Sequence, residues 1–272
     1  MSLDNLYPHA GNHSIQNAIL AVEWGSQLTI LQLELLRDAA RTALSSYSRV
    51  EEQRSIVVNI GPDPSQIPAQ VPELSGFTFS RTSTDGQIEK QAQITRAHCL
   101  FVVSDYSRWA ALVAEVRALL DMIAPTLANH SIQIAAVGLQ YSDRFVWRGE
   151  TTNLNLSEVF RADSPFIASN GLTCTEAWHS HYGYFVNSSS PIQHKRLDNI
   201  NLNIADEPQG RAIQILTSHR ALLTTPLSGD NIPQSVMDLE TELHSVNKHI
   251  FRQLLTNELL AKIQLGNKSR TT

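Results

Sequence analysis

The chain has 272 residues, 42% of them apolar, 17% charged, and a formal net charge of −5. That apolar share is too high for a disordered chain, and no run reaches the ~18 uncharged apolar residues that a membrane helix needs. The acidic balance argues against a strongly basic nucleic-acid binder, and no basic, apolar secretory leader opens the sequence, so the expected location is cytoplasmic. The two cysteines, Cys99 and Cys174, lie far apart in apolar stretches and read as reduced core thiols.

The first predicted strand is Ile15 to Trp24, rich in β-forming residues. A helix from about Gln27 to Ser45 follows, with Ser26 as its expected N-cap. Residues 54–60 read as a second strand, and the four prolines between 61 and 72 as an extended loop. A meander is expected next: Gly76 to Arg81, a turn at Asp85–Gly86, Gln87 to Thr95, and the apolar run His98 to Val103. Tyr106 to Ala124 has clear helical periodicity, carries Trp109 on its apolar stripe, and should be capped by Ser104 or Ser107 and stopped by Pro125.

The second half predicts a long strand from Ile132 to Trp147 and a short helix from Leu154 to Phe160. Three strands follow: Thr173 to Phe185, Arg196 to Ile204 and Arg211 to Leu223. In the middle one Ile200, Leu202 and Ile204 alternate with Asn199, Asn201 and Asn203, the mark of a sheet with one buried and one wet face. A final helix is expected over Pro233 to Leu265, a rod of roughly 50 Å at 1.5 Å per residue.

Two stretches resemble each other: a strand ending in Trp24 and one ending in Trp147, each leading through a glycine-containing turn into a Leu-rich helix. The expected fold is therefore α+β, with two tandem units of curved antiparallel sheet packed on a long helix, residues 1–130 and 131–272. Such an arrangement is similar to tandem helix-grip or TATA-binding-protein-like folds.

Three short segments carry a family resemblance: the opening strand with Ala18, the helix start Tyr106-Ser-Arg-Trp109, and Gly138-Leu139-Gln140-Tyr141-Ser142-Asp143-Arg144. They resemble a sporadically distributed bacterial family of proteins of roughly this length and of unknown function, in which the third segment has an Arg where this chain has Gln140. The distribution of that family implies mobile-element or defence-associated genes. It implies no established activity.

For chemistry, the chain lacks phosphate-cradling glycine loops and a GxSxG nucleophile elbow. On a regular strand Tyr141 and Asp143 share the apolar face and Arg144 takes the other. A buried Asp143 needs a donor that Arg144 cannot easily give; the readings are a carboxylate tied to backbone N–H groups or to a distant Arg, a binding role for Asp143 or Arg144, and catalysis by Asp143. His179 and His181 share a strand face but have only two local ligands between them, so no structural metal and no cofactor are expected. Glu240 and His244, four apart, read as a helix-surface pair. His194-Lys195-Arg196 reads as a solvated basic turn, or as a local anion site.

The leading functional expectation is a non-enzymatic interaction protein. It would dock a partner, or a second copy, through apolar residues beyond His249 on the final helix, Ile250, Phe251, Leu254, Leu255, Leu259 and Ile263, unless the first half of the chain covers them. The alternative is a small-molecule binder or enzyme using a pocket between sheet and helix, with Tyr141, Asp143, Arg144, His179 and His181 as candidate binding residues.

Overall fold

A computed structural model describes residues 3–55 and 72–265. The fold is α+β: a large, wholly antiparallel sheet with helices packed on it. In chain order the strands are β1 (Leu6–Pro8), β2 (Ile15–Trp24), β3 (Arg49–Ser55), β4 (Glu73–Thr82), β5 (Ile88–Thr95), β6 (His98–Val103), β7 (Ile134–Trp147), β8 (Trp178–Ser188), β9 (His194–Glu207) and β10 (Gly210–Leu227). The helices are α1 (Ile30–Ala43), α2 (Trp109–Asn129), α3 (Leu156–Val159), α4 (Ile232–Leu254) and α5 (Asn257–Lys262).

Across the sheet the order is β3-β4-β5-β6-β2-β7-β10-β9-β8, with β1 beside β7. The first long strand of each expected unit, β2 and β7, thus lies at the centre, flanked by the last strand of its own unit. One continuous sheet crosses the expected boundary through the β2–β7 ladder. That ladder starts at Ile15 opposite Asp143, and β1 pairs only with Phe145 to Trp147. The loop between β1 and β2 therefore breaks the edge of β7 beside Asp143 and Arg144.

Several local expectations are corrected. The first helix starts later, because Thr29, not Ser26, caps it: its hydroxyl accepts from the Gln32 N–H while Gln32 Oε1 accepts from the Thr29 N–H, a reciprocal capping box. Neither Ser104 nor Ser107 caps α2; Arg108 holds the N-cap position without a side-chain cap. Pro125 lies inside α2 rather than ending it. It sits on the exposed side, where water can serve the carbonyl its missing N–H leaves free. Cys174 is exposed and only Cys99 is buried, both as free thiols. The third strand is β3, earlier than expected; residues 56–60 and the proline-rich loop fall outside the described residues.

The final rod is also broken. Leu255 leaves the helix with φ −97° and ψ 150° and bridges Phe160. Thr256 then caps α5, its hydroxyl accepting from the Leu259 N–H and donating to the Glu158 carbonyl at 2.6 Å. The bend turns the apolar residues beyond His249 back onto the sheet. Ile250, Phe251, Leu254, Leu255, Leu259 and Ile263 are all buried in the same chain, against Phe145, Phe160, Ile213 and Ile215. The cover these residues require is supplied within the chain, mostly by its second half.

Two apolar clusters fill the helix side of the sheet. One joins β2, β4–β6, α1, α2 and the first half of α4; the other joins β9, β10, α3, α5 and the second half of α4. Strand β7 serves both, giving Leu139 and Tyr141 to the first and Phe145 and Trp147 to the second. Asp143 lies between them.

Because Leu259 is fully buried, Leu259→Ala should cost about 2–5 kcal/mol, the range for an emptied core site. Leu259→Asp should unfold the chain rather than change its assembly state. Urea denaturation with sedimentation of the same samples checks both.

Candidate functional site

A cavity of about 460 Å³ opens between β7, the start of α2, α4 and the β1–β2 loop. That size is within the range of small-molecule pockets. Tyr141 and Asp143 form its floor; Ile15, Trp109 and Phe251 supply apolar wall; Arg108 and Lys248 stand in its lining too. Alternation on β7 explains the floor: residues 139, 141, 143 and 145 are buried, and 138, 140, 142 and 144 are only half-buried.

Asp143 is 2% exposed and, among the described residues, pairs with no cation. Ser14 Oγ donates to its Oδ1 at 2.6 Å, from the loop that interrupts the ladder. Its Oδ2 has no partner. Burial disfavours the charged form and pushes the carboxyl up to about 7, with the Ser14 hydroxyl acting the other way. The donor predicted for a buried Asp143 is thus a serine hydroxyl.

Beside it, the Tyr141 hydroxyl and His244 Nδ1 lie 2.9 Å apart. Burial holds the His244 ring down at about 3, aided by the Lys248 ammonium, so the imidazole is neutral. The Tyr141 phenol is held well above its ordinary value, first by burial. His244 stacks on Trp109 with centroids 4.1 Å apart and 12° between planes, and Tyr106 meets Tyr141 edge-on at 6.1 Å. Trp109 is therefore half-buried, packed against the first core on one side and lining the cavity on the other.

Three lining residues carry buried polar atoms without a partner among the described residues: His13 Nδ1, Asp143 Oδ2 and His244 Nε2. Each such group costs about 1–3 kcal/mol if left unmet. Glu240, one turn before His244 on α4, is fully buried with both carboxyl oxygens unpartnered, and burial raises it well above the carboxylate range. The pair expected at the helix surface lies instead on the buried face of α4.

That polar strip continues. Asn247 Oδ1 meets His219 Nε2 at 3.1 Å, and His219 Nδ1 meets Asp198 Oδ1 at 2.8 Å. Arg196 Nε donates to Asp198 at 3.0 Å and its Nη1 to Glu242 at 3.0 Å. The His194 Nε2 atom lies 3.3 Å from the same Glu242. The basic turn expected at 194–196 is thus largely tied into a buried ion network; Lys195 alone projects, over the Phe185 ring.

Of the five candidate residues, the structure brings two together, Tyr141 and Asp143. Arg144 faces away and pairs with Glu207. His179 and His181 are exposed on β8, opposite Asn203 and Asn201 of β9, and line no part of the cavity. Among the described residues no group of three or more His, Cys, Asp or Glu is placed to hold a metal, and no helix is long and apolar enough to cross a membrane.

No family model matches the chain, and no curated protein matches it significantly. Among solved structures it is similar to the di-domain ARO/CYC StfQ from the steffimycin biosynthetic pathway, at 9% identity over 91% of this chain and 96% of that one, with a TM-score of 0.19. A likeness at that score carries no argument about fold or activity.

The buried carboxyl makes a linkage prediction. In the unfolded chain an Asp ionises near 3.9; in the fold Asp143 holds its proton up to about 7. As pH rises between those values the unfolded state loses a proton that the native state keeps, so stability falls, and it levels off above pH 7. The gap corresponds to about 4 kcal/mol. Asp143→Asn, which keeps an acceptor for Ser14, should leave stability at pH 4 nearly unchanged and raise it by up to that amount at pH 8. Urea melts at the two pH values read this directly.

Proposed function

We propose that this protein binds a small molecule in the cavity between β7 and the helices α2 and α4. One observation carries the reading: a pocket of ligand size has a buried carboxyl oxygen, an imidazole nitrogen and a phenol at its base, two of them unpartnered, within apolar and aromatic walls. Convergent polar groups in an apolar cavity are what fix a ligand's orientation. A ligand with a hydroxyl, amine or amide group would meet Asp143 Oδ2 and His244 Nε2, while its body lies against Trp109, Ile15 and Phe251.

We also read the two halves as tandem units of helix-grip type. The strand order supports it: β2 closes on β6, and β7 closes on β10, each unit ending in a long helix, α2 or α4. The pocket then lies where the two units share their central strands. The partner-docking reading has lost its main support, because the apolar residues of the C-terminal helix are covered within the chain.

A second reading is proton-transfer catalysis in the same pocket, favoured by an Asp143 carboxyl whose ionisation lies near neutrality. Under that reading Asp143→Asn keeps binding and loses turnover.

Ala110 is exposed in the first turn of α2 and lines the cavity, so Ala110→Trp should fill the pocket without disturbing the fold. In a thermal-shift screen of small polar aromatics and aliphatics, compounds that stabilise the native chain should lose that effect on Ala110→Trp. At a hundredfold excess over Kd the stabilisation is about 2.7 kcal/mol. Hits that stabilise both chains equally would place binding elsewhere.

A further inference from the structure

The lining of the cavity divides by charge. The floor is neutral or nearly so: His244 is held deprotonated, Tyr141 and Tyr106 stay protonated, and Asp143 ionises only near pH 7. Against this stand two basic side chains, Arg108 and Lys248. Neither forms an ion pair among the described residues, although the chain is net acidic and most of its other arginines are paired.

Arg108 is also the N-cap of α2, a helix of 21 residues whose first turn has no side-chain acceptor. Ser107, Arg108, Trp109 and Ala110 all line the cavity, so the positive end of the helix opens into it. Asp143 is the independent sign of a ligand in the same space: it is 2% exposed and its Oδ2 is unpartnered.

We propose that the ligand is an amphipathic anion, with a carboxylate-like head held by Arg108, Lys248 and the first-turn N–H groups of α2, and a hydrogen-bonding group at its far end on Asp143 and His244. This rests on the small-molecule reading above and adds the ligand's charge and polarity. The aromatic and aliphatic walls, Trp109, Ile15 and Phe251, take the body between the two ends. An ionised head gains charge-assisted hydrogen bonds that a neutral head of the same shape does not. A ligand inserted the other way round would bury its anion on the neutral floor beside Asp143 and His244, away from both basic side chains, where desolvation opposes it.

The test uses ω-hydroxy carboxylates, aliphatic and phenolic, each beside its uncharged primary amide, titrated calorimetrically into the native chain and into the double variant Arg108→Gln/Lys248→Met. Both substituted side chains reach solvent, so folding should survive, and a thermal melt verifies it. The carboxylates should bind the native chain at least tenfold more tightly than their amides, an advantage of about 1.4 kcal/mol. That advantage should shrink to less than about twofold in the double variant, and should weaken with added salt in the native chain alone. Carboxylates and amides binding the native chain equally would overturn the anionic head and leave the pocket reading standing. So would an advantage that survives the double variant. If neither series binds, the anionic ligand and the pocket reading fail together.

Discussion

The structure depends on a seam of buried polar groups between two apolar cores. On α4 the seam is the stripe Glu240, His244 and Asn247, spaced by four and three residues so that all face the sheet. Below it lie the Tyr141 hydroxyl and Asp143 on β7, Thr217 and His219 on β10, and Asp198 and His194 on β9. On either side the same strands and the same helix turn apolar: Leu139 and Leu243 towards the first core, Phe145 and Ile250 towards the second. Burying polar groups without partners is costly, and a core built for stability alone would have continued the apolar pattern across the join.

The seam has two ends of different character. At the β8–β9–β10 end it is largely satisfied, since Asp198 accepts from Arg196 and meets His219, and His219 passes the chain on to Asn247. Burial there works to raise the Asp198 carboxyl, but the hydrogen bonds from His219 and Arg196 together outweigh it and hold the group below its usual range. At the β7 end the opposite holds. Asp143 has one serine hydroxyl, no cation, and a raised ionisation. Two buried aspartates in one protein thus differ in their partners, and the one left short of partners is the one that faces the cavity. Asn247 belongs to both ends, lining the cavity while bonded to His219.

Much of the frame was legible in the sequence. Strands β2 and β6 match the reading of their apolar runs residue for residue, and alternation along β7 put Tyr141 and Asp143 on one buried face. Local cap chemistry was present but unread: Thr29 with Gln32 three residues on, and Thr256 before an acidic first turn, mark the starts of α1 and α5. Reading Thr256 as a cap would have broken the final rod and removed the case for an exposed apolar face. The rest of the site was beyond local pattern. Glu240 and His244 make an ordinary surface pair until β7 and β10 are placed under α4. Ser14 reaches Asp143 across 129 positions of sequence, only because β1 and β2 leave a gap along β7. His179 and His181 were favoured by spacing, yet β8 carries them exposed at the sheet's edge, outside the cavity.

The central claim is that Asp143 is a buried, under-partnered carboxyl facing a ligand cavity. Carbon-13 NMR of aspartate carboxyls, with Asp143 assigned from the loss of its signal in Asp143→Asn, follows that one group through a pH titration of the folded chain. The account predicts a midpoint near 7, as burial and the single Ser14 bond require, with a displacement of the signal when a ligand fills the cavity. A midpoint in the ordinary aspartate range, near 4, and a signal indifferent to every compound that stabilises the protein, would contradict it.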